Sequence, residues 1–108
     1  MMYPKPRKPI RGTDACRVHM SLVAELGCAV CGARPVEVHH VICGRFSGTR
    51  ASDFDTIPLC LRHHRHGMLA IHSGKESWVK RYGTDTDFLP IVAQQLLQRF
   101  GYVAPDRE

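Results

Sequence analysis

Val36-Glu37-Val38-His39-His40-Val41 and Asp55-Thr56-Ile57-Pro58-Leu59-Cys60-Leu61-Arg62-His63-His64 together hold four of the chain's seven histidines. The first run alternates apolar and polar residues, as a half-buried strand does, and runs into a histidine pair. The second carries an apolar Ile57-Pro58-Leu59 into Cys60-x-x-His63-His64, which reads as the opening of a helix. Neighbouring side chains diverge on a strand and point about 100° apart on a helix. His39 and His40 should therefore split their work, and so should His63 and His64. The two runs read as two halves of one metal-dependent site.

Upstream, Cys28-Ala29-Val30-Cys31-Gly32 has the form of a zinc knuckle. Two thiolates two residues apart on a tight turn can face one ion, and Gly32 allows the positive φ such turns need. Paired with Cys60-x-x-His63, it supplies the four ligands of a closed tetrahedral zinc site. His63, His64 and His66 crowd the fourth position, and His63 is assigned to it. Cys43 has no partner two residues away and reads as a packing residue. Five cysteines are an odd number, and Met1 to Arg11 contains no apolar signal core. A metal site is thus the better reading than a disulfide framework.

A chain of 108 residues, 44% hydrophobic and 23% charged, fits one small globular domain. A core of that size often needs a staple such as a metal. No apolar run is long enough to span a bilayer, so a cytoplasmic setting is expected. The net charge of +5 and pI near 9.2 favour DNA or RNA as partner. Residues 1–12 hold Lys5, Arg7, Lys8 and Arg11 among Pro4, Pro6 and Pro9. That composition predicts a basic arm without regular structure, lying along phosphates or acting merely as a solubilising tail. Residues 13–108 form the domain.

Thr13 is a helix cap, with Ala15, Val18, Leu22 and Leu26 at helical spacing before Gly27. Within that helix His19 is expected to be partly exposed and Cys16 to pack. The stretch 43–54 reads as a loop, with or without a distorted strand at its end. Ser73 and Glu76 suggest a capping box for a helix through Trp78, Val79 and Tyr82 to Gly83. A last helix starts near Thr84 or Asp87, tolerates Pro90 in its first turn and buries Phe88, Leu89, Ile91, Val92, Leu96, Leu97 and Phe100. Residues 102–108 are expected to be loose.

If His63 closes the zinc, His64 faces the strand of His39 and His40. One of that pair would bind a second ion while the other stays free, a division that suits phosphodiester hydrolysis. A divalent ion neutralises the scissile phosphate and stabilises the leaving oxygen, while a neutral imidazole deprotonates water.

Val38-His39-His40-Val41, Asp55 and Cys60-x-x-His63-His64 resemble the HNH endonucleases, whose ββα-metal (His-Me finger) fold joins two strands and a helix around an ion. Ala51-Ser52-Asp53, Ile57-Pro58-Leu59-Cys60, His63-His64-Arg65, Ile71-His72, Ser77-Trp78 and Tyr82-Gly83 look more narrowly like the Ref-like nucleases of phages and bacteria, which are associated with recombination. The resemblance covers about residues 28–83. It implies His39 and His64 as ligands of a catalytic ion (Mg²⁺, Mn²⁺ or Zn²⁺), with His40 as general base. Asp55 stands where the family has its central asparagine, a departure that leaves open whether it ligates or orients. His63 stands where many members have a fourth zinc cysteine. His72 lies near the expected active-site side, as a third ligand, a phosphate contact or a plain surface histidine. A recombinase filament is the implied partner.

Arg45, Arg50, Arg62, Arg65 and Lys75 flank the site and are candidate phosphate contacts, Arg50 and Arg65 foremost. Trp78 is more naturally a core residue than a stacking platform. The whole predicts an α+β domain with a ββα-metal core, a zinc knuckle and flanking helices. The expected function is metal-dependent DNA cleavage, by nicking and with little sequence preference. The alternative is a zinc-dependent DNA-binding module without catalysis.

Overall fold

A computed structural model describes residues 10–44 and 50–105. The chain runs α1 (Asp14–Ala24), β1 (Val36–His40), β2 (Thr56–Cys60), α2 (Leu61–His64), α3 (Lys75–Tyr82), a 3-10 turn (Asp85–Phe88) and α4 (Leu89–Phe100). It is a small α+β domain. The expected arm residues Lys5, Arg7 and Lys8, like Arg45 of the loop, lie outside the described residues.

The two strands pair antiparallel, with Val36 opposite Cys60, Val38 opposite Pro58 and His40 opposite Thr56. Every residue of β2 is buried, while β1 is mostly half-buried. Pro58 is tolerated because β2 has β1 on one side only. Its carbonyl accepts the Ala29 N–H at 2.8 Å, which docks the knuckle onto the strand. The knuckle also folds tightly back on the residue that precedes it: a Cβ at Gly27 would lie 2.5 Å from the Gly32 carbonyl oxygen. Gly32 has φ 77°, as the sequence requires of a tight turn. Ile57 and Leu59 of β2 pack with Val23 and Leu26, with Ile71 and Trp78, and with Val92 and Leu96 of α4.

Several local expectations need correction. Cys60 ends a strand rather than beginning a helix, and α2 is a single turn of four residues. It stops there because the carbonyls of His63 and His64 accept the N–H groups of Ile71 and His72, at 3.0 and 3.1 Å. Carbonyls that a longer helix would consume are used instead to fold the loop back. Ser73 does not cap α3: its hydroxyl donates to the Arg65 carbonyl at 3.2 Å, and Gly74 takes the cap position. A capping box is present one element later, between Thr84 and Asp87.

On α1 the buried stripe is Cys16, His19 and Val23, leaving Val18 53% exposed. His19 is buried because its Nδ1 meets the Tyr102 hydroxyl at 3.0 Å and its ring packs on Phe54. The same bond docks Tyr102, so the tail is not loose at its start. On α4 only Val92 and Leu96 are buried; Ile91, Leu97 and Phe100 lie on its outer side. Trp78 is 2% exposed and packs against Tyr82 and Phe88 as a core residue.

Candidate metal centres and the histidine pairs

The first centre is built by the knuckle, the end of β2 and α2. Cys28, Cys31, Cys60 and His63 present donor atoms that all lie within 4.8 Å of one another, close enough to hold one metal ion. Cys31 Sγ is 3.7 Å from Cys60 Sγ, while His63 Nδ1 is 3.3 Å from Cys60 Sγ and 3.8 Å from Cys28 Sγ. Burial by itself raises the Cys28 thiol, but the backbone N–H groups of Cys60, Cys31 and Val30 outweigh it and hold that thiol below its ordinary range. Burial, reinforced by the Arg62 charge, lowers His63. Thiolate and neutral imidazole are the forms that ligate metal. Cys43 is buried away from this set, and burial raises its thiol.

The second centre joins β1, α2 and the loop after it. His39, His64 and His72 also have donor atoms within 4.8 Å of one another. His64 Nε2 and His72 Nε2 are 3.0 Å apart. That approach follows from the backbone bond of His72 N–H to the His64 carbonyl, which lays the loop over α2. The His39 ring lies edge-on to both, at 5.0 and 5.2 Å between centroids.

Carboxylates then fix the rings. Asp85 Oδ2 is 2.8 Å from His39 Nε2, and Glu37 Oε1 is 2.7 Å from His64 Nδ1. Asp53 Oδ1 is 2.7 Å from His40 Nε2. An ionised carboxylate can only accept, so each of these ring nitrogens carries a proton, and in a neutral ring the other nitrogen keeps its lone pair. Asp85 is fully buried. Burial alone would raise its carboxyl, but the bonds from His39 and from the Ile42 and Cys43 N–H groups bring it down to about 2. Burial likewise opposes ionisation of Asp53, and the bonds from His40 and the Gly12 N–H overcome it, so its carboxyl lies below the usual range. The His64 bond is the main cause that lowers Glu37. Burial lowers His64, against the opposing pull of the Glu37 carboxylate.

The structure thus brings together both predicted ligand sets. Residue 40 turns to the opposite side of β1 from residue 39, as strand alternation requires. The carboxylate that meets His40 is Asp53. Asp55 supplies its carbonyl to the Val41 N–H at 3.1 Å and lines a 520 Å³ cavity with His19, Leu89 and Tyr102. Arg65 Nε donates to Glu37 Oε1 at 3.2 Å, so it is paired beside the second centre. Arg50, Arg62 and Lys75 are exposed.

Residues 3–99 match the model of a family described as a protein of unknown function, DUF968. The chain belongs to the DUF968 family. No curated protein and no solved structure matches it. In this DUF968 chain Glu37, Asp53 and Asp85 are the functional candidates that motif spacing missed. Only Glu37 carries a local signal, since it shares a strand face with His39 two residues on.

Among the described residues no helix is long and apolar enough to cross a membrane.

Proposed function

We propose that the protein is a metal-dependent endonuclease of the HNH type, hydrolysing DNA phosphodiester bonds with a ββα-metal core formed by β1, β2 and α2. One observation carries the reading. Three imidazoles converge on one point, and the adjacent His40 stands apart from them with its own carboxylate. A binding module needs only a structural metal, and nothing in such a role calls for a second histidine centre beside a separately polarised histidine.

The first centre suits structural zinc. At Zn–S of about 2.3 Å and Zn–N of about 2.05 Å, tetrahedral edges are ~3.8 Å for S···S and ~3.6 Å for S···N. The Cys31–Cys60 and Cys28–His63 separations of 3.7 and 3.8 Å fit those edges, with Cys60–His63 at 3.3 Å slightly short. The second centre suits a catalytic divalent ion. Ligands at right angles and about 2.1 Å from an ion are ~3.0 Å apart, which is the His64–His72 separation of 3.0 Å. With three protein ligands its remaining positions are open to water and phosphate.

An ion held there would neutralise a phosphate and stabilise the leaving oxygen. His39 and His64 hold their lone pairs in place through Asp85 and Glu37. His72 completes the set from the exposed side. His40 accepts the proton of the attacking water. Arg50, Arg62, Arg65 and Lys75 supply phosphate contacts at the rim, and the net charge of +5 draws in the polyanion.

Cleavage of supercoiled plasmid tests the reading: open circles should form with Mg²⁺ or Mn²⁺, and should vanish with chelator or in His40→Ala. A second reading is a zinc-dependent DNA-binding module. The 3.0 Å approach of His64 Nε2 to His72 Nε2 favours it in one respect, since a hydrogen bond between the rings also accounts for that distance. Plasmid retarded on a gel but never cut supports the module. Cutting that starts only when a recombinase filament is added supports a nuclease conditional on a partner.

A further inference from the structure

Asp53 sits between two donors, one on each oxygen. His40 Nε2 reaches Oδ1 at 2.7 Å, and the backbone N–H of Gly12 reaches Oδ2 at 2.7 Å. The Asp53 side chain is 6% exposed, against 29% for His40. The root of the N-terminal segment closes around it. The Asp53 N–H and the Ser52 hydroxyl both donate to the Ile10 carbonyl, at 2.8 and 3.1 Å, and Arg11 Nη1 donates to the Ala51 carbonyl at 2.9 Å. Residues 10–12 and 51–53 therefore form one interlocked corner behind His40.

The geometry points to Asp53 as the positioning residue of His40, with its own rotation set by the Gly12 amide; this role rests on the nuclease reading above. A backbone N–H can only donate, so Oδ2 is committed to Gly12 and Oδ1 is left facing the imidazole. A carboxylate oxygen can only accept, so in the neutral ring His40 carries its proton on Nε2 and its lone pair on Nδ1. In the hydrolytic step water gives a proton to Nδ1, and its oxygen bonds to phosphorus. The bond from phosphorus to the leaving oxygen breaks with its electron pair, and solvent protonates that oxygen. The ring becomes positive as it accepts the proton, and Asp53 is the nearby anion that stabilises it. Asp53 acts through His40 and touches no reacting atom.

Asparagine at this position separates positioning from mere packing. It has nearly the same shape but offers one acceptor and one donor. With its oxygen kept on the Gly12 N–H, its amide donates to His40 Nε2. The imidazole must then carry its proton on Nδ1, and it loses the lone pair that accepts the proton from water. Asp53→Glu keeps the acceptor chemistry and is the rescue variant.

The test is ¹⁵N NMR of the His40 ring at neutral pH in the full chain, together with plasmid-nicking kinetics. Wild type and Asp53→Glu should show a protonated Nε2 and an unprotonated Nδ1. Asp53→Asn should show the reverse, with kcat lower by on the order of 100-fold and KM unchanged. Wild-type protein with the proton on Nδ1 overturns the assignment, as does an Asp53→Asn variant that keeps both tautomer and rate. The wild-type spectrum decides the matter even if Asp53→Asn fails to fold. Wild type that cuts no DNA even with a recombinase filament added removes the nuclease reading, while the same spectrum still reports whether Asp53 sets the His40 tautomer.

Discussion

The Nε2 atoms of His64 and His72 face each other at 3.0 Å across the chain reversal that follows α2. The reversal is made by backbone bonds from Ile71 and His72 back to His63 and His64. A helix one turn longer would have used those carbonyls internally and carried His72 away. The brevity of α2 is therefore what assembles the histidine centre.

Glu37 orients His64 from the solvent side, 43% exposed and with little packing to lose. Glu37→Ala is expected to leave the fold intact and to weaken divalent-ion binding by roughly 10- to 100-fold, the usual effect of removing a carboxylate behind a ligating imidazole. Calorimetric titration with Mn²⁺ gives the affinity, and thermal melting monitors the fold. An unchanged affinity would show that Glu37 merely pairs with Arg65.

Asp85 ties the 3-10 turn to β1 through His39 and to the chain beyond it through the N–H groups of Ile42 and Cys43. Asp85→Ala strips those buried donors of their acceptor and should cost about 3 kcal/mol or more in urea unfolding. The linkage also has a sign. The folded carboxyl is near 2, below the ~3.9 of an unfolded aspartate. Its contribution is thus full above pH ~4 and disappears as pH falls toward ~2, a loss of about 2–3 kcal/mol that Asp85→Ala should not show.

The Cys3His centre is expected to act as the staple of a small core. Cys31 is the exposed ligand, so Cys31→Ser removes a thiolate without opening a cavity. The variant should bind zinc far more weakly and lose roughly 10 °C or more in melting temperature. Elemental analysis of metal per chain and a melt in the presence of chelator check both parts. A melt indifferent to chelator and to Cys31→Ser would show that these thiols only pack.

Replacing Lys5, Arg7 and Lys8 with alanine leaves the Ile10–Gly12 corner in place. If the arm lies along phosphates, each lost contact lowers the slope of log affinity against log salt by about 0.9, or about 3 for the three together. Filter binding at several salt concentrations measures it. An unchanged slope means the arm is idle.

The histidine pairs and the two Cys/His spacings were legible because metal ligation needs donors at short, fixed separations, and these survive as motifs in the chain. The first strand was legible from the alternation around Val36 and Val38; its partner Thr56–Cys60 was not, because Ile57-Pro58-Leu59 reads as the lead into a helix. The carboxylates were not. Asp85 reaches His39 across 46 positions and Asp53 reaches His40 across 13, distances over which only the packed fold decides who meets whom. Asp55 stands at a familiar interval from Cys60; β2 begins one residue later, and the Asp55 carbonyl accepts the Val41 N–H. Apolar periodicity also overstated the burial of α4, where Ile91 and Leu97 match the helical pattern but find no layer above them.

His40 and the His39–His64–His72 centre are expected to act together on DNA. The most direct measurement is the rate of open-circle formation from supercoiled plasmid in Mg²⁺ or Mn²⁺, for wild type, His40→Ala and His64→Ala. Nicking by wild type that falls by on the order of 100-fold or more in both variants, and stops with chelator, is the expected result. Nicking that persists undiminished in His40→Ala, or plasmid bound by wild type and never cut, would contradict it.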